Sequence, residues 1–265
     1  MSKADHDHFD EWTDTPGLVI RAFGPGSVEL QGRVLVSSDW TYSKARELLF
    51  YLICNPAQTK EQVGLAVWPD ASTAQLRDSF RITLHFLRRA LGRPGWVLYE
   101  GGRYAFNRGL PYWFDVEAFE FHLSLAQLAL EGAGRPAPLA ADYLDRATSL
   151  YDGDFLDGAE AEWCLITRED LQRKYLQALV ARGGLFFETG EYVRATEVYR
   201  LAIAKDGYLE AAHRGLMRCL ARQGELSQAL RHYQALAALL MAELDAPLAP
   251  ETVALHDRLC RGEPI

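Results

Sequence analysis

Ser72-Thr73-Ala74-Gln75-Leu76-Arg77-Asp78-Ser79-Phe80-Arg81-Ile82-Thr83-Leu84-His85-Phe86-Leu87-Arg88-Arg89-Ala90-Leu91-Gly92 reads as a helix with both ends written in. Ser72 with Gln75 three residues on fits a capping box, in which each side chain satisfies a backbone donor that the helix leaves unpaired. Gly92 suits the left-handed position after a helix, and Pro94 prevents continuation. Leu76, Phe80, Leu84, Leu87 and Leu91 fall on one stripe and predict a buried face. The opposite arc carries Arg77, Asp78, Arg81, Ile82, His85, Arg88 and Arg89. An apolar spine under an arginine face suits a helix laid in a DNA major groove, where arginine reads guanine edges with two hydrogen bonds. Taken alone, the same face also suits an ordinary solvated surface helix.

The flanking sequence supplies the context. Leu18 to Phe23, Ser27 to Leu30 and Arg33 to Val36 are short apolar runs separated by Gly-Pro-Gly and Gln-Gly, and they predict a small antiparallel sheet. A first helix is expected to open with Ser43 as its cap, to bury Ala45, Leu48, Leu49, Leu52 and Ile53, and to stop at Asn55-Pro56. Thr59-Lys60-Glu61-Gln62 is a second capping box, opening a helix that buries Val63, Ala66 and Val67 and ends at Trp68-Pro69-Asp70. After the quoted helix, two β runs meet at Gly101-Gly102, a hairpin signal. Sheet, three helices and hairpin in that order predict a winged helix-turn-helix over residues 17–114. Its third helix would enter the major groove while the hairpin tip, Gly102 and Arg103, reaches the flanking minor groove.

On that geometry Arg81 and His85 are expected at base edges. Arg77, Arg88, Arg89, Lys60 and Arg103 are expected at phosphates, which position a protein without reading sequence. Thr59 and Lys60 also stand where the free amides of a helix N-terminus favour an anion. For Arg88 and Arg89 there is a competing role, since cations in a last helical turn stabilise its negative end. Trp68 is expected in the core.

From Asp115 onward the pattern is helical throughout. Gly190 and Gly224, Ala195 and Ala229, and Tyr199 and Tyr233 each recur after 34 residues, the tetratricopeptide length. The glycine closes the first helix of a pair, the alanine lets two helices approach, and the tyrosine packs between neighbours. Ala147 and Tyr151 repeat the same offset. Residues 115–265 therefore predict a tetratricopeptide-like domain of about three pairs, closed by a capping helix set off by Pro247 and Pro250. The fold class is an α+β winged helix-turn-helix followed by an all-α helical domain.

Charge is divided along the same lines. The 265-residue chain carries a net −8. Residues 1–16 hold one lysine against five acids and are expected to form a flexible acidic tail; residues 17–114 hold twelve basic residues against seven acids; the remainder holds fifteen against twenty-four. The basic excess thus sits with the arginine helix, and the acidic part is expected to face away from phosphate. Cys54, Cys164, Cys219 and Cys260 are scattered without metal-ligand spacing, which favours reduced thiols, a cytoplasmic location and no structural zinc. No apolar run has the length of a membrane span. His6 and His8 read as incidental tail histidines. Asp152 and Asp154 read as turn residues rather than a catalytic pair, because no basic or metal-binding partner accompanies them. No nucleophile motif or phosphate loop is present, so neither an enzymatic activity nor a cofactor is expected.

Several segments carry a resemblance. Lys44-Ala45-Arg46-Glu47-Leu48-Leu49, Val67-Trp68-Pro69-Asp70 and Leu87-Arg88-Arg89-Ala90-Leu91-Gly92 resemble a response-regulator-type winged helix. Phe114-Asp115-Val116-Glu117-Ala118-Phe119, Leu150-Tyr151-Asp152-Gly153-Asp154-Phe155-Leu156 and Gly215-Leu216-Met217-Arg218 resemble the bacterial transcriptional activator domain. Together they resemble the SARP (antibiotic regulatory protein) type of activator over nearly the whole chain after residue 17. The resemblance implies a transcription activator that binds direct repeats in double-stranded promoter DNA, recruits RNA polymerase holoenzyme and forms a homodimer on DNA. The helical domain would then receive a small-molecule or protein effector. Asp78 and Phe86 depart from the expected chemistry of the groove-facing helix. The competing reading is a helical scaffold whose winged helix docks a protein partner instead of DNA.

Overall fold

The computed structural model describes residues 17–133 and 138–265; the acidic tail expectation and His6 and His8 lie outside the described residues. The chain divides into two units, one of residues up to 118 together with 152–169, the other of 119–151 together with 170–265.

The first unit opens with strands β1 (Leu18–Arg21), β2 (Ser27–Leu30) and β3 (Arg33–Val34), which pair antiparallel in sequence order. A strand absent from the sequence reading, β7 (Tyr112–Phe114), lies parallel to β1 on its other side. Helix α1 (Ser43–Cys54) follows β3. Ser43 is its first residue and not its cap: Tyr42 holds the cap position and makes no side-chain capping bond. Residues Leu48 to Ile53 are buried without interruption, so α1 is covered on almost every side and forms the centre of the unit. A short strand β4 (Gln58–Thr59) leads into α2 (Lys60–Val67), then α3 (Thr73–Ala90), β5 (Val97–Glu100) and β6 (Arg103–Phe106). The second sheet has the order β4-β6-β5.

Residues 152–169 belong to this unit through backbone pairing with the segment after β1. The Gly24 amide donates to the Asp154 carbonyl at 2.9 Å, Leu156 to Ala22 at 2.7 Å and Asp157 to Gly24 at 2.7 Å. Arg168 then donates to the carbonyls of Phe155, Leu156 and Ala159. Asp115, at the start of α4 (Asp115–Ala133), is buried and accepts from the amides of Ala22, Phe23 and Val116. Burial nevertheless dominates and pushes its carboxyl up to about 6.

The helical unit contains the rest of α4 and α5 (Pro138–Leu150), most of α6 (Glu162–Glu188), then α7 (Tyr192–Lys205), α8 (Glu210–Arg222), α9 (Leu226–Leu244) and α10 (Pro250–Cys260). The 34-residue period is physical here. Gly190 and Gly224 stand just past α6 and α8 with φ of 81° and 83°, and Ala195 and Ala229 are fully buried. Tyr199 packs against Gly183 and Gly215: a Cβ added at either glycine would meet its ring at 2.8 and 2.2 Å. Most arginines of this unit act as ties. Arg182 bonds Asp145, Arg194 bonds Glu191, Arg214 bonds the Thr252 hydroxyl and Arg222 the Tyr192 hydroxyl, while Arg218 covers the Phe187 ring.

Candidate nucleic-acid interface

Both capping boxes expected from sequence are formed. Thr59 Oγ1 accepts from the Gln62 amide while Gln62 Oε1 accepts from the Thr59 amide, and Ser72 and Gln75 exchange the same pair. The boxes fix where α2 and α3 begin, and hence the phase of each helix face. On α3 the predicted stripe Leu76, Phe80, Leu84, Leu87 and Leu91 is buried, with Thr83 beside it bonding back to the Ser79 carbonyl. The expected inner residues of α2 hold at Val63 and Val67, whereas Ala66 is half-buried and the third buried position is Gly64. A Cβ at Gly64 would stand 2.5 Å from Leu76, so this glycine sets how closely α2 approaches α3. The sequence reading passed over it; a glycine inside a helical pattern was the available signal.

The outward face of α3 sorts the candidate residues. Arg77, Arg81, His85 and Arg89 are exposed and succeed one another every four residues, forming one ridge on the side away from the buried stripe. Arg81 leaves 80% of its side chain exposed and Arg77 71%. Asp78 stands 4.0 Å from both of them, a loose contact that a phosphate or base edge would outcompete. Arg88 departs from the ridge. It is half-buried, with a guanidinium nitrogen 3.4 Å from the Val97 carbonyl, so it ties α3 to β5. Phe86 is likewise withdrawn, half-buried with its ring 6.2 Å from Tyr42. Trp68 is half-buried and meets Phe80 edge-on.

The hairpin is held against the same helix. Gly101 and Gly102 take φ of 56° and 78°, the two positive values that a tight two-residue hairpin turn requires. Tyr104 on β6 packs 4.6 Å from Phe80 of α3 and 4.6 Å from Tyr99 across the hairpin. β4 pairs Thr59 with Arg103, bringing the start of α2 and the hairpin tip together. Arg103 donates to the Ala57 carbonyl at 3.2 Å, and Lys60 lies 3.5 Å from Glu61. Tyr99, 59% exposed on the hairpin, is a further aromatic candidate that the sequence reading did not name. Alternation gave no signal for it, because Tyr99 shares its face with Val97, Tyr104 and the core-facing Phe106.

The first unit is thus a helix-turn-helix with a pinned wing and an outward cationic ridge, and tetratricopeptide-like helices follow it. Residues 114–260 match the bacterial transcriptional activator domain family, and the chain belongs to that family. Regulatory protein AfsR of Streptomyces coelicolor is 27% identical over 256 residues, covering 96% of this chain and 25% of AfsR. The chain thus spans a quarter of the length of that relative. The structure of Mycobacterium tuberculosis EmbR in complex with a low-affinity phosphopeptide superposes with a TM-score of 0.80, covering 95% of this chain and 67% of that one. At 17% identity this likeness shows the fold. Among the described residues, no helix is long and apolar enough to cross a membrane and no cluster of His, Cys, Asp and Glu could hold a metal ion.

Proposed function

We propose that the chain is a sequence-specific activator whose α3 lies in the major groove of promoter repeats. The observation that carries this reading is the four-residue recurrence of Arg77, Arg81, His85 and Arg89 on the exposed face of α3. Arg81 and His85, central in the ridge, read base edges. Arg77, Arg89, Lys60 and Arg103 hold phosphate, aided by the amides at the capped start of α2. Arg88 supports the wing through Val97, and any phosphate contact it makes is secondary to that role. Promoter-bound copies pair as a homodimer and recruit RNA polymerase holoenzyme, in keeping with family membership.

Footprinting and gel-shift of the full chain on its own upstream DNA test the reading. A protected repeated sequence is expected, with nanomolar-range affinity that falls steeply as salt rises. Absence of any protected sequence at low salt, together with recovery of a stable protein partner by the full chain, would favour the scaffold reading instead.

A further inference from the structure

Among the described residues, cationic side chains in the helical unit are almost all committed to internal ties, with two exceptions that share one groove. Arg200 on α7 and Arg231 on α9 are exposed and make no hydrogen bond or ion pair among the described residues. Both line a groove of about 480 Å³ with Ile203, Leu216, Leu220 and His232. Leu216 and Leu220 are buried and Ile203 is half-buried, so the groove has an apolar floor contributed by α7 and α8. His232 is fixed from behind: its Nε2 lies 2.8 Å from Nδ1 of His213, whose own Nε2 lies 3.0 Å from the Gly207 carbonyl.

Two unpaired guanidinium groups stand out in a unit that holds sixteen acids against fourteen basic residues and whose other described cations are paired or laid over rings. Elsewhere in the unit, carboxylates are close enough to be used, as at Asp145, Asp170, Glu191 and Glu263. Guanidinium groups bind carboxylate and phosphate with paired, geometrically specific hydrogen bonds. The volume is that of a small-molecule site.

We propose that this groove binds an organic anion, a carboxylate or phosphate monoester on an apolar body, with Arg200 and Arg231 on the anionic group and Ile203, Leu216 and Leu220 under the apolar part. The site adds an effector input to the DNA-binding reading without depending on it, because its test contains no DNA.

The full chain is titrated with octyl phosphate, octanoate, inorganic phosphate and octylammonium, following the Ile203 methyl and His232 ring signals by NMR together with thermal stability. Octyl phosphate or octanoate is expected to shift those signals, bind at least tenfold tighter than inorganic phosphate and raise the melting temperature, while octylammonium does neither. Whichever of octyl phosphate and octanoate binds tighter identifies the head group. The Arg200→Ala/Arg231→Ala double variant, altered only at exposed positions, is expected to lose at least tenfold in affinity. Ala204→Trp, which fills the groove while leaving both arginines, is expected to block binding as well. Equal binding of octylammonium, unchanged binding by the double variant, or unchanged binding by Ala204→Trp would each overturn the proposal.

Discussion

Arginine does opposite work on the outer face of α3 and in the helix ties of the helical unit. On α3, Arg77, Arg81 and Arg89 are exposed, with no partner among the described residues closer than the 4.0 Å approach of Asp78 to the first two. In the helical unit Arg182, Arg194, Arg214 and Arg222 bind other helices or helix ends, and Arg218 lies over an aromatic ring. Net charge does not separate the units: residues 17–118 with 152–169 hold thirteen basic residues against fifteen acids, and residues 119–151 with 170–265 hold fourteen against sixteen. What separates the α3 ridge from the ties of the helical unit is whether each cation is already satisfied. A satisfied arginine contributes to packing; an unsatisfied one is available to an anion. Substitutions of the ties should therefore affect stability and substitutions of the ridge recognition, and the following tests can break that division.

The largest effect is expected in the helical packing. Tyr199 is buried between Gly183 and Gly215 and is the aromatic that the 34-residue period positions. Tyr199→Ala should cost about 3–5 kcal/mol, measured by denaturant unfolding. Gly215→Ala attacks the same contact from the other side and should cost about 2–3 kcal/mol, because the whole ring must move. If the two substitutions together cost the plain sum of their separate costs, the wedge is not a shared contact.

Gly64→Ala tests whether recognition can be damaged through packing alone. Its Cβ would meet both Leu76 methyls within 2.6 Å, and the expected loss is about 1–2 kcal/mol of stability. Because Leu76 belongs to α3, the ridge should shift with it, so operator affinity should fall although no cation has been touched. Retained affinity at reduced stability would show that Leu76 yields without moving the helix.

The legibility of these features follows their physical range. Capping boxes, the leucine stripe of α3 and the Gly-Gly hairpin are written within a few residues, and each is formed. Strands β4 and β7 were not legible, because each is two or three residues long and exists only through a distant partner, β6 or β1. The inclusion of residues 152–169 in the first unit rests on backbone bonds from Asp154, Leu156 and Asp157 to residues 22–24, which leave no side-chain pattern. Arg88 is drawn inward for a related reason. Helical phase put it beside Arg89 on the outer arc, but β5, brought up after the helix ends, supplies a carbonyl that draws it inward.

A pH experiment separates neutral from charged groups in the helical unit. His213 Nε2–H donates to the Gly207 carbonyl, so its Nδ1 accepts from His232 Nε2–H, and both rings are neutral in this arrangement. Burial, reinforced by His213 and Arg200, pushes His232 down to about 4, and burial also lowers His213. A folded-state value below the ordinary 6.5 means that the folded chain resists protonation. The stabilisation is therefore complete above pH 6.5 and is lost as pH falls towards 4. Allowing for the half-exposure of His232, about 1–2 kcal/mol should disappear across that window. His232→Phe should flatten that part of the stability–pH curve, as followed by thermal melts between pH 7 and 4.

The smallest effect is the sharpest test of the ridge. Arg81→Ala should leave stability within about 0.5 kcal/mol, since an exposed side chain loses nothing on folding. Its expected cost lies in discrimination, about 1 kcal/mol against substitution at a single base pair, near the low end for a bidentate contact because Asp78 also draws on Arg81. Lys60→Ala should instead weaken all DNA sequences alike and lower the slope of affinity against salt by about one counterion. Selection from randomised oligonucleotides with each variant distinguishes the two patterns. If Arg81→Ala weakened every sequence equally and kept its base preference, Arg81 would be a phosphate contact, and sequence reading by α3 would fall to His85. Removal of Asp78 then decides whether that acid restrains Arg81: Asp78→Asn should tighten binding if it does, and leave affinity unchanged if the 4.0 Å contact is incidental.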